Sequence, residues 1–81
     1  MLKKIKLYGD LAEFIGHKEF EAVVNSTADV IKFLLCNFPK VESYMADKYY
    51  KVLVNDIPIT KEQIHDPTGR AEISIVPIIS G

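Results

Sequence analysis

The last eleven residues, Ala71 to Gly81 (AEISIVPIISG), constrain this chain more than any other stretch. Ile73 and Ile75 alternate with Glu72 and Ser74, and Val76, Pro77, Ile78 and Ile79 follow almost without polar relief. A strand so apolar belongs at the centre of a sheet, covered on both faces or nearly so. Pro77 has no N–H to give a ladder, so regular pairing is expected to end there. Residues 78–81 are then expected to leave the sheet as a protruding carboxy-terminal tail.

The preceding residues must supply neighbours for that strand. Leu2 to Tyr8 reads as a strand in which Lys4 and Lys6 alternate with Ile5 and Leu7, and Gly9 breaks it. Asp10 and Glu13 have the spacing of a capping box, opening a helical turn over Leu11 to Ile15 that Gly16 closes. His17 to Val24 is a second strand, with Phe20, Ala22 and Val24 inward and Lys18, Glu19 and Glu21 outward. Ser26 and Asp29 repeat the capping-box spacing at the start of the main helix, about Thr27 to Phe38. Its apolar stripe is Val30, Ile31, Leu34, Leu35 and Phe38, and Pro39 stops it.

A short turn is expected over Lys40 to Asp47, then a strand over Tyr49 to Asn55 and a turn at Asn55-Asp56. Ile57 to Thr60 is a short strand that Pro58 confines to a sheet edge. Lys61 to Ile64 is one helical turn, and His65 to Gly69 a loop with turn chemistry at nearly every position. The order ββαβββ predicts an α+β roll, with one main helix on a mixed sheet of four to five strands. The last strand should lie beside the first and parallel to it.

Eighty-one residues make one domain, expected to span 1–81. The formal net charge of -1 offers no basic field for nucleic acid. No apolar run approaches the roughly 20 residues that span a bilayer, so neither nucleic acid nor a membrane is an expected partner. Cys36 is the single cysteine, which rules out an internal disulfide and fits a reducing, cytoplasmic setting.

Two families share these features. The amino-terminal domain of the lambda-type phage tail assembly protein I resembles this chain at both ends. Leu7-Tyr8-Gly9-Asp10-Leu11-Ala12-Glu13-Phe14 is similar to its opening strand and turn. His65-Asp66-Pro67 and Ile75-Val76-Pro77-Ile78-Ile79-Ser80-Gly81 are similar to its closing segments. The resemblance implies a β-grasp, ubiquitin-like fold and a non-enzymatic role in tail-tip assembly in the host cytoplasm, with other phage tail proteins as partners. Members of that family are generally longer, so the chain would be a separately expressed domain or a short member.

The alternative is the sulfur-carrier proteins of thiamine and molybdopterin synthesis. Leu11-Ala12-Glu13-Phe14-Ile15-Gly16 and the Pro77-Ile78-Ile79-Ser80-Gly81 tail are similar to theirs. That resemblance implies an E1-like activating enzyme as partner, which adenylates the Gly81 carboxylate before it becomes a thiocarboxylate. Ser80 stands where those carriers have a penultimate glycine. A free-standing ubiquitin-like modifier is a third reading.

No residue pattern calls for catalysis, a cofactor or a metal, so the chain is not expected to be an enzyme. Cys36, inside a helix without a neighbouring histidine, is expected to be a buried structural thiol. His17 and His65 stand apart, without acidic or cysteine neighbours at ligand spacing, and are expected at the surface or bonded to loops. Lys3, Lys4, Lys6 and Lys51 are expected on the open sheet face, as a solvated surface that discourages aggregation. Either Tyr49 or Tyr50 must point away from the helix. Tyr49 with Leu53 then makes a contact surface or packs under the Lys40 to Asp47 turn. The strongest candidates for partner contact are Pro77, Ile78, Ile79, Ser80 and Gly81, unless the isoleucines fold back on their own domain.

Overall fold

The computed structural model describes residues 2–69 and 71–78. Its elements are β1 (Leu2–Leu7), α1 (Gly9–Ile15), β2 (Glu19–Val23), α2 (Thr27–Asn37), α3 (Val41–Ala46), β3 (Tyr49–Val54), β4 (Ile57–Pro58) and β5 (Ile73–Ile78), with one 3-10 turn at Lys61–Gln63. The strands form one sheet in the order β2-β1-β5-β3-β4. β5 is central: parallel to β1, with Ile5 opposite Ile73 and Leu7 opposite Ile75, and antiparallel to β3. This is the expected β-grasp arrangement, and Pro58 lies on an edge strand as its missing N–H requires.

The core lies between α2 and one face of the sheet. Ile5, Leu11, Val30, Leu34, Val41 and Ile73 are completely shielded from solvent, and Ile75 nearly so. Val30 and Leu34 come from the stripe that helical spacing placed inward. Ser26 Oγ accepts from the Asp29 amide at 3.3 Å. The Asp29 carboxylate answers by accepting from the Asn25 amide at 3.0 Å, one residue earlier than a strict capping box.

At α1 the expected box does not form. The helix begins at Gly9, with Tyr8 as its cap residue and no side-chain cap, so Asp10 lies inside the first turn. Its charge there still faces the positive end of the helix. Gly16 does close α1, at φ 87°, donating its N–H to Ala12 O at 2.9 Å.

The long return from β4 to β5 is tied to the start of α2. Ala28 N donates to Ile64 O at 2.8 Å, and Thr68 N to Asn25 O at 2.9 Å. Lys3 completes the tie, its ammonium donating to Thr68 Oγ1 at 2.7 Å. Lys3 therefore does not join the open-face lysines. It shares the inward side with Ile5 and Leu7 and is only 6% exposed. The alternation of β1 implies this placement, because residues two apart share a face.

The β3–β4 turn holds Asn55 at φ 53° and Asp56 at φ 68°, the left-handed pair that suits a two-residue hairpin. Asp56 carries a Cβ where glycine is preferred. Asp56→Gly is expected to raise stability by roughly 0.5 kcal/mol, measured by urea unfolding. A fall would show that the Asp56 side chain stabilises the turn.

Candidate functional site

Pairing in β5 continues through Pro77 to Ile78, one position beyond the proline at which it is expected to end. The reason is which way the nitrogen points. Asn55 N bonds Glu72 O at 2.8 Å, so positions 72, 74, 76 and 78 exchange hydrogen bonds with β3. Positions 73, 75 and 77 point their backbone the other way, as Tyr8 N donating to Ile75 O at 3.2 Å shows. Pro77 thus turns its missing N–H toward β1, and β1 has already ended at Leu7. Its ring lies on the core side, half-buried under the start of α1, where a Cβ on Gly9 would sit 3.4 Å from Pro77 Cγ. Pro77 is accordingly a packing residue, and Ile78 is the last described residue of the ladder. Ile79, Ser80 and Gly81, named above as contacts, lie outside the described residues.

No described helix covers the opposite face of the sheet, which divides in two. Over β1 and β2 it is charged: Lys6 Nζ lies 3.1 Å from Glu72 Oε1 and Lys4 Nζ 3.9 Å from Glu19 Oε1. The Glu72 carboxylate holds the Lys6 ammonium above its ordinary pKa, first through their hydrogen bond and then through its charge. Over β3 and β5 the face is largely apolar. Tyr49 stands opposite Ile78, Lys51 opposite Val76, and Leu53 opposite Ser74 and Pro58. Tyr49 is 71% and Ile78 50% exposed, while Leu53 and Val76 are half-buried. Because β3 and β5 are antiparallel, Tyr49 at the start of β3 flanks the end of β5. The exposed aromatic ring and the exit toward Gly81 share one corner.

Of the two neighbouring tyrosines, Tyr49 is therefore the outward one, on the face it shares with Lys51 and Leu53 and not under α3. Tyr50 packs against the core, and its hydroxyl is buried without a hydrogen-bond partner among the described residues. Burial raises the Tyr50 pKa, and Tyr44, Asp47 and Asp10 raise it further.

Cys36 is exposed, against the expectation of a buried thiol. It lies off the Val30–Leu34 stripe near the end of α2, where the helix surface meets solvent. His17 is exposed in the α1–β2 loop, 5.2 Å between ring centroids from Phe20, and His65 is exposed in the loop before β5. Among the described residues no three His, Cys, Asp or Glu side chains gather as a metal site. No described helix is long and apolar enough to cross a membrane. One contact escaped sequence reading: Phe14 of α1 stacks on Tyr44 of α3 at 4.1 Å between centroids, 10° from parallel. Only the turn geometry that brings the two short helices together creates it.

No family model and no curated protein matches the sequence. Two solved structures are similar over the whole chain. The crystal structure of SAMP1 from Haloferax volcanii is 23% identical, with a TM-score of 0.77, covering 100% of this chain and 99% of that one. The solution structure of the small archaeal modifier protein 1 (SAMP1) from Methanosarcina acetivorans is 21% identical, with a TM-score of 0.78, covering 100% of this chain and 98% of that one. At such identities the likeness establishes the ubiquitin-like fold.

Tyr50→Phe removes a buried hydroxyl that has no partner among the described residues, so it is expected to leave stability at pH 7 unchanged or slightly higher. The raised folded-state pKa has a definite sign. Tyr50 contributes fully below its unfolded value of 10.0, and the contribution is lost as pH rises through the folded value. Urea unfolding at pH 8 and at about pH 11 should show a smaller alkaline loss for Tyr50→Phe. Equal losses in both proteins would show that the Tyr50 hydroxyl is reached by solvent in the folded chain.

Proposed function

We propose that this chain is a non-enzymatic β-grasp carrier or modifier whose Gly81 carboxylate is activated by an E1-like enzyme. The observation that carries the reading is the corner where the exposed Tyr49–Ile78 pair meets the exit of the central strand. A partner that docks on Tyr49, Leu53, Val76 and Ile78 lies beside the end of β5, from which the chain leads on to Gly81. Burying the exposed parts of Tyr49 and Ile78 against it would stabilise the complex by about 1–3 kcal/mol.

The two solved structures, described as small archaeal modifier protein, support this reading by fold. They give no support to the tail-assembly expectation or to phage tail proteins as partners, and that expectation yields to the carrier or modifier reading. The chemistry would be carboxylate attack on the α-phosphate of ATP, which releases pyrophosphate and leaves an acyl-adenylate. A sulfur donor or a lysine amine would then displace AMP, and the two products separate a sulfur carrier from a protein modifier. ATP and such an enzyme meet the chain in the cytoplasm. Ser80, in place of a glycine, narrows the choice of enzyme, because its side chain must fit the channel that holds the extended tail.

The test is intact mass after incubation with ATP and the cognate activating enzyme. The expected results are a hydroxylamine-sensitive adenylate and then either exchange of one carboxyl oxygen for sulfur or conjugates to lysine. Ser80→Gly should speed adenylation, and Tyr49→Ala should slow it about tenfold through weaker docking. A chain isolated from its own host that continues past Gly81, or one that never gains AMP, would end this reading.

A further inference from the structure

The sheet has two edges, and they differ. β4 is two residues long and contains Pro58, so it offers little to another strand. β2 is longer and lacks proline. Leu7 N donates to Lys18 O at 2.9 Å, so in this antiparallel ladder Phe20 and Ala22 turn their backbone groups toward β1. Glu19, Glu21 and Val23 turn theirs outward, and among the described residues those groups have no partner.

The side chains along this edge make a pattern. On the open face, Val23 is 71% exposed beside its cross-strand partner Leu2, 61% exposed. Next along that face come Glu21 and Glu19, opposite Lys4 and Lys6. Lys6 is engaged by Glu72, and Lys4 approaches Glu19, so Glu21 makes no ion pair among the described residues. On the other side of the edge runs a groove between β2 and α2, lined by Ala22, Val24, Phe33 and Cys36 together with the charged Asp29 and Lys32.

We infer that β2 adds a sixth strand from another protein, an extended basic segment whose lysine or arginine side chains face Glu19 and Glu21. Three outward positions set the hydrogen-bonding register. An apolar side chain opposite Val23 would cover Leu2, and small apolar residues at the alternate positions would fill the groove beneath Phe33. The charges select the occupant. A second copy pairing through its own β2 would bring carboxylates against carboxylates, which is destabilising directly across a ladder. A basic strand turns the same two glutamates into cross-strand ion pairs. This inference is independent of how Gly81 is used.

The probe is a capped seven-residue valine peptide with lysine at two positions two residues apart, set to face Glu19 and Glu21 and leave valine opposite Val23, and its control carries glutamate at the same two positions. Nuclear magnetic resonance on the intact chain should show slowed exchange of the Glu19, Glu21 and Val23 amides with the lysine peptide. Alkylation of Cys36, which lines the groove, should slow in parallel. The lysine peptide should bind roughly fivefold tighter than the glutamate peptide, and Glu21→Lys should reverse that order. Glu21→Gln carries the charge comparison if the lysine variant does not fold, and should reduce the preference without reversing it. A lysine peptide with proline at its centre should not bind. Equal affinity for the two peptides, binding that leaves the edge amides exchanging freely, absence of binding, or edge protection arising from self-association without peptide would each overturn the proposal.

Discussion

The pairing of β5 with β1 on one side and β3 on the other holds the fold together. It joins the chain's first and last strands, and it puts Ile73 and Ile75 under α2 beside Ile5 and Leu7. In a domain this small, core contacts are few, and shielding these side chains supplies much of the stability available. The α1 and α3 turns, the Phe14–Tyr44 stack and the Lys3–Thr68 tie close the ends of that layer.

The same ladder determines what is left uncovered. One face of β5 goes to the core, so its other face must be completed by neighbours or by another molecule. Toward β1 the completion is internal: Ser74 is buried between Lys6 and Leu53, and Glu72 bonds Lys6. Toward β3 it is not, and Tyr49 and Ile78 remain open at the corner from which the chain continues to Gly81. The two sheet edges differ for a related reason. Proline blunts β4, whereas β2 carries carboxylates, which repel some strands and attract others.

The elements were legible where local chemistry decides them: the helix stripe with its Ser26 cap, the Asn55-Asp56 turn, edge-bound Pro58, and the apolar final strand. The departures from the sequence expectation have a common physical origin. Pro77 reads as a stop because it lacks an N–H, but whether that matters depends on what lies beside the nitrogen. Asp10 and Glu13 had capping-box spacing, but the chain reverses at Gly9, φ 57°, and the helix starts too early for the box. Cys36 and Lys3 exchanged expected places, the thiol outside and the ammonium inside. Residue type gives each an average preference, whereas burial depends on which neighbour arrives.

By itself the sequence determined the class, the succession of elements along the chain and the identity of the central strand, because hydrophobic period and turn residues act over a few positions and tolerate few topologies. Tertiary structure alone decided the sidedness of Pro77, the burial of Lys3, the separation of Tyr49 from Tyr50, and the unpaired backbone of β2. Each depends on the register and termination of a strand far away in the chain, and a register shift of one residue would turn every one of these side chains to the other face.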